Sequence, residues 1–104
     1  MGNHRAPVLL PKQQKILEQM GYQIRMVRQR RKLSVNLVAE RAGVSRQSVW
    51  AVEKGSPSVV MGTYVKVLHA VGFDKDLLKI CADDPVGRLL QDERDDRYKR
   101  EDET

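Results

Sequence analysis

Between Ser34 and Gly55 the chain is punctuated twice in the same way, and that punctuation leaves few folds open. Ser34 can lend its hydroxyl to the free amides of a helix that starts at Val35, and Gly43 suits the left-handed backbone that ends such a helix after Ala42. Ser45 repeats the cap for a helix from Arg46 to Lys54, and Gly55 stops it. The spacing predicts two short helices that cross steeply about a tight turn at Gly43-Val44-Ser45. Ala39 falls where they approach and must be small. Val44, Val49 and Val52 form an apolar plug under the turn, with Leu33 and Val38 behind it. Arg46, Gln47, Ser48, Trp50 and Ala51 are left pointing outward, so the second short helix keeps the polar, basic face that a major-groove reader needs.

Two helices this short need others to pack against, and the flanking sequence supplies them. Leu17, Met20, Ile24 and Val27 recur at spacings of three and four, which predicts a first helix over about Gln13 to Lys32. Gly21 costs that helix up to about 1 kcal/mol relative to alanine, and places its effective start near Gly21. After the loop Gly55-Ser56-Pro57-Ser58, the apolar stripe Met61, Tyr64, Val65, Leu68 and Val71 predicts a fourth helix ending at Gly72. Asp74 or Asp76 opens a short fifth helix to about Ala82, and Asp84-Pro85 opens another. Only Val86, Leu89 and Leu90 give this last one an apolar face, and beyond Gln91 it is almost wholly charged, so its end is expected to fray. There is no strand-like alternation, no internal repeat and no glycine-rich phosphate loop. The fold class is all-α: an N-terminal arm over 1–12, a compact five-helix domain over 13–82 with its core motif at 34–54, and a charged, partly helical tail over 83–104.

Charge divides along the same lines. Through Cys81 there are 14 Lys and Arg against 5 Asp and Glu, whereas from Ala82 onward there are 5 against 9. A basic body points to a polyanionic partner, because neutralised phosphates release counterions, while the acidic tail points to another role. Arg25, Arg30, Arg31 and Lys32 read as an ordinary solvated face. With one cysteine, Cys81, there is no internal disulfide, and Met1 to Pro11 lacks the apolar stretch of about 7–15 residues of a signal peptide, so the expected location is the cytoplasm. No window approaches the roughly 18 apolar residues of a membrane span. His4, His69 and Cys81 lack the spacing of a zinc site, no serine stands in a nucleophile-elbow pattern, and Met1-Gly2 with Ala6 misses a myristoylation signal. Neither a metal, a cofactor nor a catalytic residue is expected.

The run Ile24-Arg25-x-x-Arg28, Leu33-Ser34, Ala39, Ala42-Gly43-Val44-Ser45, Val49, Val52-Glu53-x-Gly55, then Met61, Val65 and Gly72, resembles the Cro/repressor (XRE) helix-turn-helix family from about Gly21 to Leu78. The resemblance implies a homodimeric, sequence-specific regulator, an autorepressor on a palindromic operator in double-stranded DNA. It implies that Arg28 and Glu53 pair as a brace, that Ser45 holds a phosphate, and that Arg46 and Gln47 face base edges. Ser48 and Lys54 are implied to touch backbone. Ala51 offers at most a methyl contact to thymine. Trp50 either packs on sugar or thymine methyls or closes against the neighbouring helix or a dimer partner. Two positions depart from the family: Val35 stands where glutamine is common, leaving Asn36 to replace that phosphate contact, and Pro57-Ser58 comes two residues early, with Val59-Val60 in its usual place. The fifth helix and the Val86-Leu89-Leu90 patch are the candidates for the dimer contact. Ala82 to Asp92 also resembles the tail of HipB-like antitoxins, which implies a second reading in which the chain binds a kinase-like toxin as well as its operator. Binding of RNA or single strands is disfavoured, since Trp50, Tyr22, Tyr64 and Phe73 form no stacking platform in this register.

Overall fold

The computed structural model describes residues 6–103, with side chains for 6–97. The first five residues of the arm, His4 among them, lie outside the described residues, as do the side chains at the far end of the tail. Five α-helices follow in order: α1 Pro11–Arg30, α2 Val35–Ala42, α3 Arg46–Glu53, α4 Met61–Val71 and, after a 3-10 helix Asp74–Lys79, α5 Pro85–Glu103. Among the described residues there is no strand.

Helix α1 starts two residues earlier than its apolar period indicates, because Pro11 suits the first helical position and the Gln13 side chain accepts from the Leu10 amide at 3.0 Å. Gly21 neither starts nor weakens it. A Cβ there would stand 2.5 Å from the Val52 carbonyl oxygen and 2.6 Å from that of Glu53, so its absence lets α1 lie directly on the end of α3. Gly55 completes the contact from the other side, with φ +74° and its own Cβ position only 2.5 Å from the Glu18 nitrogen. Gln14 Nε2 donates to the Gly55 carbonyl at 2.9 Å, tying the loop after α3 to the same stretch of α1.

The core gathers Ile24 of α1, Val38, Ala39 and Ala42 of α2, Val49 and Val52 of α3, and Tyr64, Val67, Leu68 and Val71 of α4. Its fully enclosed side chains are all valine: Val38, Val49, Val52, Val67 and Val71. Helix α4 is rotated from the stripe read in the sequence. Val67 faces inward, while Met61 and Val65 are exposed, because Tyr64 turns to donate its hydroxyl to the Ser56 carbonyl at 3.0 Å and brings the 64-67-68-71 row onto α2. Burial pushes the Tyr64 phenol up, which keeps it a donor.

The fifth predicted helix is instead the short 3-10 helix, ending at Lys79 rather than Ala82. Only Phe73 and Leu77 reach the core there, while Leu78 and Ile80 face solvent and Cys81 turns the chain with φ +60°. Helix α5 then begins on Asp84, whose Oδ1 accepts from the Gly87 amide at 3.0 Å. The helix extends through Glu103. The acid-to-base spacing of four at Glu93 and Arg97 favours it locally. Among the described residues α5 touches no other element. It lengthens the molecule to 65 × 34 × 26 Å and the radius of gyration to 19.5 Å, against about 13 Å for a compact chain of this size.

Candidate nucleic-acid interface

Both short helices carry the caps their serines suggest. Ser34 Oγ accepts from the Leu37 amide at 3.0 Å and Ser45 Oγ from the Ser48 amide at 3.1 Å, while Gly43, with φ +67°, closes α2. Ala39 and Ala42 give α3 room to bury Val49 and Val52. With those two valines locked, the rotation of α3 is fixed, and so is the direction of its other face.

A bidentate ion pair sets the tilt of α3. Arg28 Nε lies 2.6 Å from Glu53 Oε2 and its Nη2 lies 3.1 Å from Oε1, while Nη1 donates to the Leu33 carbonyl at 3.0 Å. The side chains are 12% and 6% exposed, so a single guanidinium joins α1, the turn before α2 and the last turn of α3 in a mostly water-free place. Removing one partner of such a pair strands the other charge, at a cost of about 3–5 kcal/mol.

Outward from this brace, Arg46, Gln47 and Lys54 are exposed, Trp50 is 48% exposed, and Ser48 and Ala51 are half-buried. The face has two flanks. Toward α4, Gln47, Ser48 and Ala51 line a shallow depression with Ser58, Val59, Val60 and Thr63. Toward α1, Trp50, Glu53 and Lys54 line an open cleft with Arg25 and Arg28. Arg46 stands at the start of α3 outside both depressions, and Asn36, exposed in the first turn of α2, lines neither. Ser45 Oγ accepts its capping amide and lies 3.0 Å from the Ser48 hydroxyl, so one hydroxyl donates to the other and a single hydroxyl proton stays free at the start of α3.

The start of α4 was not legible as part of this surface. Val60 provides no side-chain cap, and among the described residues no protein group accepts from the amides of Met61 and Gly62. Thr63, the next residue, lines the depression with Gln47 and Ser48. The available clue was Val60-Met61-Gly62 itself, a helix start without a capping side chain. In the loop before it, the Ser56 and Ser58 hydroxyls lie 2.7 Å apart and the Ser58 amide donates to Ser56 Oγ at 3.3 Å.

No helix among the described residues is long and apolar enough to cross a membrane. A family model for the helix-turn-helix domain matches residues 19–79, from the middle of α1 through the 3-10 helix. No curated protein and no solved structure matches the chain.

Proposed function

Because the chain belongs to the helix-turn-helix domain family, a DNA-binding family, we propose that it is a transcriptional repressor, cytoplasmic, that binds a palindromic operator as a homodimer. The observation that carries this reading is the orientation of α3: Val49 and Val52 are fully buried and Glu53 is clamped by Arg28, so Arg46, Gln47 and Trp50 are left exposed, with Ala51 half-buried beside them. In a major groove Arg46 would pair with guanine O6 and N7 and Gln47 with adenine N6 and N7, each worth about 1–3 kcal/mol of discrimination. Ala51 offers a methyl surface to thymine. Ser45, Ser48, Asn36 and Lys54 act on the phosphates, which position the protein without selecting sequence.

The groove is about 12 Å wide and a helix with its side chains about 10–12 Å across, so its two walls pass close to both flanks of α3. On the α4 flank the free amides of Met61 and Gly62 and the Thr63 hydroxyl are suited to a phosphate.

One reader of this size covers few base pairs, and two related by a two-fold axis gain affinity from half-sites about one turn apart. Helix α5 is the contact we assign to that dimer, with a second copy of this chain as its occupant. Val86, Leu89 and Leu90 are 66%, 68% and 54% exposed and sit at helical spacing on one side. An antiparallel pairing centred between Leu89 and Leu90 brings Val86 against the partner helix near Glu93. A parallel pairing would oppose Glu93 to Glu93 and Arg97 to Arg97. Band-shift titration against duplexes carrying the chain's own promoter tests the function: binding that weakens steeply with salt supports it, and no binding at low salt refutes it. A chain that stays monomeric with α5 intact refutes the dimer and favours the antitoxin reading, in which a toxin covers that helix.

A further inference from the structure

The cleft between α1 and α3 carries a charge arrangement that the reading face does not account for. Its floor is the Arg28 and Glu53 pair, bidentate and therefore internally neutral. Its rims are Arg25 and Lys54, both exposed, and among the described residues neither is paired with a carboxylate. Its wall is the half-exposed indole of Trp50. The cleft has a volume of about 350 Å³ and opens to solvent, which leaves it accessible to a strand lying over it.

We propose that Arg25, Lys54 and Trp50 form a backbone site for the DNA strand on the α1 side of the groove, with the two cations on one phosphodiester and the indole against the adjoining deoxyribose. This rests on the DNA-binding reading above and extends the interface beyond the helix-turn-helix to α1. The chemistry follows from alternation. A phosphodiester backbone presents an anion, then a flat apolar sugar, and the cleft presents two unpaired cations flanking one flat apolar wall. A neutral floor keeps a third cation from drawing the strand inward, and leaves the brace of α3 intact when the strand binds. The position follows from the groove's two walls, since the α4 flank meets one strand and the opposite flank of α3, where this cleft opens, meets the other. Of the places open to Trp50, packing on sugar is thereby chosen over thymine methyls or a dimer partner, and Arg25 moves from a solvated face to a contact.

The test is Arg25→Ala, measured by fluorescence anisotropy on a selected operator duplex and on a scrambled duplex over a series of salt concentrations. Arg25 is exposed, so the variant keeps the unfolding curve of the parent. The expected result is an affinity loss of roughly three- to tenfold on both duplexes, an unchanged ratio between them, and a salt slope reduced by about 1, with Arg25→Lys restoring the slope. Trp50→Ala is expected to weaken both duplexes alike. Unchanged affinity and slope for Arg25→Ala, or a changed sequence preference for Trp50→Ala, overturns the site while leaving the DNA-binding reading standing. Failure of the parent chain to bind either duplex at low salt overturns both.

Discussion

The body from Pro11 to Lys79 and helix α5 are both helical, but for different reasons. In the body, α2 and α3 have eight residues each, too few to hold a helix alone, and they persist because their valines and alanines are enclosed by α1 and α4. Helix α5 has 19 residues and no tertiary contact among the described residues; it rests on its Asp84 cap and on charge spacing. The difference teaches where each kind of signal resides. Tertiary burial fixes the direction of side chains and so can build a reading surface, whereas local propensity fixes a helix without fixing what its apolar side meets.

The sharpest way to break this contrast is to remove the brace. Arg28→Ala is expected to destabilise the body by about 3–5 kcal/mol in urea unfolding, because Glu53 is left charged in a site with little water. Gly21→Ala comes next: its methyl meets two backbone oxygens, α1 must separate from α3, and a loss of about 1–3 kcal/mol is expected in the same measurement. On the other side of the comparison, Asp84→Ala is expected to cost α5 about 1 kcal/mol, seen as faster amide exchange in its first turn while amides of the body keep their protection. Leu89→Asp combined with Leu90→Asp is expected to halve the mass in sedimentation and to leave the helical signal of the body in place. The smallest effect concerns acid. A hydrogen bond with His69 at 3.0 Å holds the Asp74 carboxyl below the usual carboxylate range. A lowered folded value contributes stability that is present above the unfolded value and lost as pH falls through the folded one. The unfolding midpoint should therefore drop less steeply on the acid side in Asp74→Asn than in the parent.

The two regions also differ in how much of them could be read from residues alone. Ser34, Gly43 and Ser45 mark α2 and the start of α3 to the residue, since caps act on immediate neighbours. On α4 Tyr64, Leu68 and Val71 face inward as their spacing indicates, but the remaining inward place goes to Val67 rather than to Met61 or the chemically similar Val65, with the rotation held by the bond from Tyr64 to the Ser56 carbonyl. Gly21 looked like a weakness because its purpose, the passage of α3 across it, is a contact over thirty residues away. On the candidate site, the outward residues of α3 follow from its period, but the flanks do not. Arg25 enters only because α1 crosses beside Trp50, and the amides of Met61 and Gly62 carry no side-chain signature at all.

The central claim is that the outward face of α3 reads double-stranded DNA in two symmetric half-sites. Selection of bound duplexes from a random pool tests it most directly, repeated with Arg46→Ala. The expected result is an enriched two-fold-symmetric sequence with half-sites about 10–10.5 base pairs apart, and a preference that collapses at one position of each half-site in the variant. A pool that enriches no sequence, or a preference untouched by Arg46→Ala, would contradict it.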